Sequence, residues 1–125
     1  MNAGPRAGGK WNPKANKYSA KRTVVDGVTF HSKKEAKRYQ ELRMLERARL
    51  IERLELQPEF PIVIHGTPVR YASGRAVVYR ADFRYRDLEA GGRTIVEDVK
   101  GMDTPLSRLK RALVETIYGI KVREI

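Results

Sequence analysis

A single α/β or α+β domain is the fold class this sequence predicts, and three observations point to it. A length of 125 residues can bury one sizeable core and leaves little room for a second. A helix-forming run opened by a capping signal is followed by strand-like runs, and a second helical run leads to a last apolar segment. Cysteine is absent, so disulfides and thiolate zinc sites are excluded and stability rests on the core or on a partner subunit.

Residues 1–22 combine Gly4, Gly8, Gly9, Pro5 and Pro13 with basic side chains, which reads as a flexible basic N-terminal arm ahead of one domain over 23–125. Trp11 and Tyr18 suggest that part of this arm docks. Thr23 to Phe30 reads as a small hairpin with Asp26-Gly27 at its turn. Ser32-Lys33-Lys34-Glu35 is a capping box, with Ser32 as N-cap and Glu35 at the third helical position, and the helix continues through about Ala48. Ala36, Tyr39, Leu42 and Leu45 form its apolar face, and Glu35 projects along the edge of that face.

Ile51 to Gln57 enters a strand that pauses before Pro58. Phe60 to Ile64 is a second strand, kept to an edge or bulge by Pro61, and His65-Gly66-Thr67-Pro68 is a turn. Arg75 to Arg86 reads as one strand, with Val77, Tyr79, Ala81, Phe83 and Tyr85 on one face and Val78, Arg80, Asp82, Arg84 and Arg86 on the other. A turn at Ala90-Gly91-Gly92 returns the chain through a strand from Thr94 to Lys100, antiparallel to the previous one. Pro105 opens a final helix containing Leu106, Leu109, Leu113 and Ile117; it stops near Gly119, and Ile120 to Ile125 forms a last strand.

Charge narrows the function. Twenty-six Lys and Arg against 15 Asp and Glu leave a net charge of +11, which draws polyanions to the surface in a salt-dependent way. No apolar run is long enough to cross a bilayer, and no signal-peptide stretch follows Met1, so no membrane partner and a cytoplasmic location are expected. His31 and His65 are the only imidazoles, too few for a histidine metal cage.

Against this basic background, Asp82 and the Asp98-Val99-Lys100 run stand out. Asp82 and Asp98 are hard oxygen ligands suited to an Mg²⁺-type ion that keeps several waters, and Lys100 shares a strand face with Asp98. Such a site can polarise a phosphorus centre, activate water and stabilise a leaving oxygen. Lys100 fits three roles there: orienting water, assisting its deprotonation, or balancing negative charge. Glu97 has the opposite parity and joins only through a bulge. Glu35 adds a carboxylate if its helix crosses the same face, and Gln57 adds an amide or backbone contact.

Each residue also has a plainer role: Asp82 as a strand-end charge beside arginine, Glu35 as a cap, Gln57 as a local hydrogen-bonding group. Arg80, Arg84 and Arg86 on the Asp82 face could hold phosphates, with Lys33, Lys34, Lys37 and Arg38 extending the field along the first helix. The same arginine row also suits a surface ion network. Lys110 is a phosphate contact or a solvated helix residue.

The ordered segments Ser32-Lys33-Lys34-Glu35-Ala36, Leu56-Gln57-Pro58, Tyr79-Arg80-Ala81-Asp82-Phe83 and Val96-Glu97-Asp98-Val99-Lys100-Gly101 resemble a small phage-associated family of predicted nucleases. That family is similar to the PD-(D/E)xK restriction-endonuclease-like superfamily, which includes phage and archaeal Holliday junction resolvases. The resemblance covers roughly residues 17–125. It implies a restriction-endonuclease-like mixed β-sheet flanked by helices, with Asp82 and Asp98 as metal ligands, Glu35 as a helix-borne acid, Lys100 as the catalytic lysine and Gln57 in support. It also implies Mg²⁺, with Mn²⁺ able to substitute, DNA as the partner, and a homodimer for cutting both strands of a junction. Ala81 stands where the superfamily has proline, which removes no metal-binding group. The competing expectation is a noncatalytic DNA-binding or packaging accessory on the same scaffold.

Overall fold

The computed structural model describes residues 22–101 and 103–125. The predicted N-terminal arm, apart from Arg22, lies outside the described residues. Two compact units are present, one within Met1–Gln40 and the other Glu41–Ile125.

In the first unit, β1 (Thr23–Val25) and β2 (Val28–Phe30) pair antiparallel as expected. Asp26 at φ 52° and Gly27 at φ 75° supply the two positive-φ positions that a tight two-residue hairpin demands. Helix α1 (Lys33–Arg47) begins where the capping box predicts. Ser32 Oγ accepts the Glu35 N–H at 3.0 Å, and Glu35 Oε1 accepts the N–H of His31 at 2.9 Å, one residue earlier than the standard reciprocal bond. The rings of Phe30 and Tyr39 lie 4.9 Å apart, and the Tyr39 hydroxyl donates to Asp26 Oδ2 at 3.1 Å, fastening helix to hairpin.

The second unit is built on a mixed four-stranded sheet in the order Val122–Glu124, Arg93–Asp98, Phe83–Asp87, Ile51–Leu56. Its strands are β3 (Ile51–Leu56), β8 (Phe83–Asp87), β9 (Arg93–Asp98) and β10 (Val122–Glu124). The first three are antiparallel in sequence, whereas β10 runs parallel to β9. Parallel neighbours need a crossover, and α2 (Pro105–Tyr118) provides it. Thr104 Oγ1 accepts the Ser107 N–H at 3.0 Å and Pro105 occupies the first turn, so this helix starts as its sequence indicates. Between β3 and β8 lie two smaller pairs: β4 (Glu59–Pro61) with β7 (Val78–Arg80), and the hairpin of β5 (Val63–Ile64) with β6 (Thr67–Pro68), turning at His65-Gly66. The result is a mixed α/β fold with a multi-strand sheet and two helices. No helix among the described residues is long and apolar enough to cross a membrane.

Two predicted strands are divided. Phe60 to Ile64 splits into β4 and β5, with Pro61 at the end of the two-stranded β4–β7 pair, where its missing N–H costs nothing. Arg75 to Arg86 breaks at Ala81-Asp82 into β7 and β8. At the break Ala81 N donates to Pro58 O, Asp82 N to Glu97 O, and Gln57 N to Asp82 O, so the chain changes pairing partners with its backbone groups satisfied. Face assignments change with it. Tyr79 and Ala81 pack with Val96, Phe60, Ile62, Val114 and Val122, whereas Phe83 and Tyr85 are registered with Glu97 and Ile95, on the other side of the sheet from Val96. The uniform alternation expected from Val77 to Tyr85 therefore does not hold.

Val114 carries the underside of α2 onto Val96 and Val122, and Ile62, 1 % exposed, fills the centre of the same cluster. Ile62→Ala leaves a cavity there, and the expected loss is roughly 2–5 kcal/mol, read as a lowered urea midpoint at unchanged slope.

Candidate functional site at the end of the central strands

Antiparallel pairing puts the beginning of β8 beside the end of β9. The register sets Phe83 opposite Glu97 and Arg84 opposite Val96, and just before it Asp82 N donates to Glu97 O at 3.1 Å, which leaves Asp82 beside the end of β9 where Asp98 stands. Both carboxylates are half-buried. Asp82 Oδ2 accepts the Val99 N–H at 2.7 Å, a charge-assisted bond that ties the first aspartate to the peptide immediately after the second. Beyond Asp98 the pairing with β10 continues: Ile125 N donates to Asp98 O at 3.1 Å and Lys100 N to Ile125 O at 2.8 Å. Residues two apart in such an extended ladder share a face, so Lys100 follows Asp98 on the same side, with its side chain exposed. Gln57 reaches this region through its backbone, its N–H donating to Asp82 O at 2.9 Å.

Asp98 is held by a residue that sequence reading missed. The buried Tyr79 donates its hydroxyl to Asp98 Oδ2, and the positive charge of Arg111 on α2 acts on the same phenol. Burial, followed by the negative charge of Asp98, raises the Tyr79 phenol far above its ordinary pKa, so it remains a donor. Arg111 bridges Asp103 at 3.1 Å and Glu124 at 3.0 Å; these acids outweigh its burial and raise its pKa. A single-strand reading of Arg75 to Arg86 put Tyr79 on the face opposite Asp82, which hid this contact. The available signal was Gln57-Pro58, whose backbone receives the chain at the break.

Glu97 keeps the opposite parity that its sequence position predicts. It is 0 % exposed, takes a hydrogen bond from the Tyr85 hydroxyl at Oε2, and has Arg123 Nη1 at 3.8 Å. Glu35 lies in the first unit, where its carboxylate performs the capping described above. Among the described residues, no group of three or more His, Asp and Glu side chains is gathered as a metal site. Asp82 and Asp98 thus stand at the same strand end, each held by its own donor.

The arginine row is engaged by glutamates. Arg84 makes two bonds to Glu55, at 2.6 and 2.8 Å, while Arg86 Nη1 meets Glu52 Oε2 at 2.6 Å and Arg80 pairs with Glu59. A polar groove of about 260 Å³ lined by Arg53, Glu55, Arg84, Tyr85, Arg86 and Thr94 lies over this lattice, and neither Asp82 nor Asp98 lines it. Lys110 Nζ sits 5.9 Å from the centre of the Tyr71 ring, a cation–π distance. Lys33, Lys34 and Lys37 are exposed on α1, and Arg38 is half-buried there.

The chain belongs to the DUF1064 family, described as "Protein of unknown function", whose model matches residues 15–124. Comparison with curated proteins and with solved structures gave no match.

Two engaged carboxylates, Glu97 and Glu55, differ in what they contribute to stability. Tyr85→Phe removes one donor from the buried Glu97 carboxylate and is expected to cost about 1–3 kcal/mol in urea denaturation. Glu55→Gln is expected to cost under about 1 kcal/mol at neutral pH, because the Glu55–Arg84 pair is largely exposed and screened. The Arg84 hydrogen bond lowers the Glu55 pKa, so this contribution is complete above the ordinary carboxylate range and fades as pH falls through the lowered value. Denaturation of both proteins at pH 7 and in acid reads the narrowing gap.

Proposed function

We propose that this chain is a metal-dependent endonuclease that hydrolyses DNA phosphodiester bonds, with branched or Holliday-junction DNA as its substrate class. The observation that carries the reading is the 2.7 Å bond from the Val99 N–H to Asp82 Oδ2, which ties Asp82 to the strand end that carries Asp98 and, two residues along the ladder, Lys100. The mixed sheet with two helices accords with the fold that the superfamily resemblance implies, and the net charge of +11 suits a polyanionic substrate.

The donor set fits a hard divalent ion. Mg²⁺ is commonly held by one or two carboxylates with waters and substrate phosphate completing its shell, so a pair of aspartates suffices; Mn²⁺ accepts the same oxygens. When bound, the ion supplies Lewis acidity toward the phosphate and an easily deprotonated water. Asp82 and Asp98 hold it on this reading, and the Gln57 N–H fixes the backbone that carries Asp82. The Lys100 ammonium stands at the exposed end of the ladder, where it balances charge developing on the phosphate. Lys33, Lys34, Lys37, Arg38 and Lys110 contact the DNA backbone, and Arg80 and Arg84 join them by exchanging glutamate for phosphate. A two-fold homodimer presents two such centres to a junction, in the cytoplasm of the host.

One observation favours a noncatalytic DNA-binding or packaging accessory instead: Asp82 already caps the Val99 N–H, and Arg80, Arg84 and Arg86 already have glutamate partners. A single panel separates the two. Labelled duplex, flap, single-stranded and four-way DNA are incubated in EDTA, then with Mg²⁺ or Mn²⁺, and products are resolved. Metal-dependent products are expected, with Asp82→Asn and Lys100→Ala each lowering the cleavage rate about 10²-fold or more while DNA binding in EDTA stays near wild type. Binding without products on every substrate assigns the accessory role.

A further inference from the structure

We infer that Tyr79 and Arg111 are positioning residues that fix the Asp98 carboxylate for cation binding. This rests on the metal-dependent reading and adds to it a specific device.

Tyr79 is 4 % exposed and belongs to the core cluster, yet its hydroxyl is directed at a carboxylate at the end of β9. A buried hydroxyl needs a partner, and a purely apolar role at this position would be filled by phenylalanine at no polar cost. The hydrogen bond occupies Asp98 Oδ2. Among the described residues Asp98 Oδ1 takes no hydrogen bond, so one oxygen is fixed and the other is presented.

Tyr79 is itself held. The positive charge of Arg111 acts on the phenol whose hydroxyl donates to the Asp98 carboxylate, so anion, phenol and cation lie in one electrostatic group. Arg111 has no latitude to drift, because its side chain is only 15 % exposed and bridges Asp103, ahead of α2, to Glu124 of β10. Glu124 is registered with Asp98 on the neighbouring strand. Loop, helix and edge strand thus converge on one carboxylate through one phenol. An outer partner that orients a ligating carboxylate tunes metal affinity without touching the ion, which predicts an effect on cation binding and little on the chemical step.

The experiment uses the full chain. Mn²⁺ is titrated without DNA and free ion is followed by electron paramagnetic resonance; in parallel, cleavage rates are measured against Mg²⁺ concentration. Tyr79→Phe is expected to weaken Mn²⁺ binding roughly 10-fold and to raise the half-saturating Mg²⁺ concentration by the same factor, with the rate at saturating Mg²⁺ within about two-fold of wild type. Arg111→Met is expected to shift both quantities the same way, and Arg111→Lys, which keeps the charge, to restore part of the loss. Circular dichroism melting checks the fold, and if Tyr79→Phe is unfolded the Arg111→Met and Arg111→Lys pair decides alone. Wild-type Mn²⁺ affinity and Mg²⁺ dependence in the folded variants overturn the positioning role. A wild-type chain that neither binds Mn²⁺ nor cleaves DNA overturns the metal-dependent reading itself.

Discussion

The alignment of β8 against β9, with Phe83 opposite Glu97, is the constraint on which the rest of the second unit depends. Strand side chains alternate with period two, so a slip of one residue exchanges every buried side chain for an outward one. In the observed register Val96 joins Tyr79, Ala81 and Val114, and Glu97 meets Tyr85. A slipped register would set Glu97 among the apolar residues around Val114, where an unpaired carboxylate costs several kcal/mol, so burial of an acid and burial of a valine select the same alignment. The meeting of Asp82 with the end of β9 is a by-product of that selection: the core is aligned first, and the half-buried acids at its margin are placed by it.

Glu97 and Asp98 are adjacent in sequence and face opposite ways, and each has a tyrosine donor backed by an arginine. Tyr85 of β8 and Arg123 of β10 serve Glu97; Tyr79 of β7 and Arg111 of α2 serve Asp98. The two arrangements differ in what surrounds them. Glu97 is fully enclosed and its arginine stands at 3.8 Å, which suits a structural polar tie across three strands. Asp98 lies at a strand end, half-exposed, with an exposed lysine two residues on, which suits contact with something outside the chain. Similar chemistry at neighbouring positions thus has a structural use on one face and remains accessible on the other.

Much of this was legible in the sequence because the signals were local. The Asp26-Gly27 hairpin, the Ser32 and Glu35 cap, the Pro105 helix start and the parity of Glu97 each rest on a few neighbouring residues whose geometry leaves few options. What was not legible depended on partners distant in sequence. Arg75 to Arg86 alternates without interruption, yet it divides between two sheets because Pro58 O claims Ala81 N and Glu97 O claims Asp82 N. Nothing within that run announces the break. The same long-range pairing moved Tyr79 onto Asp98 and decided that Arg80, Arg84 and Arg86 would meet Glu59, Glu55 and Glu52 on the partner strands. Only chain pairing, and not composition, reveals which charges are already engaged.

That engagement changes what the net charge means. Three strand arginines are neutralised within the second unit, so long-range attraction for a polyanion falls to exposed lysines such as Lys33, Lys34 and Lys37 and to basic residues of the N-terminal sequence. Lysine is a hydrated point charge on a flexible stem, suited to phosphate attraction of little directional content. The bidentate Arg84–Glu55 pair is directional and local. On the proposed reading a division of labour follows from the difference: lysines would concentrate the polyanion at the surface in a salt-dependent way, while the arginine–glutamate lattice ties β3 to β8. Engagement of those arginines by phosphate would have to release glutamates paired at close range, so contacts at the sheet form only where the backbone is presented closely enough to compete. Selectivity for a particular DNA geometry would arise from that competition, since uniform attraction by lysines cannot distinguish a junction from a duplex.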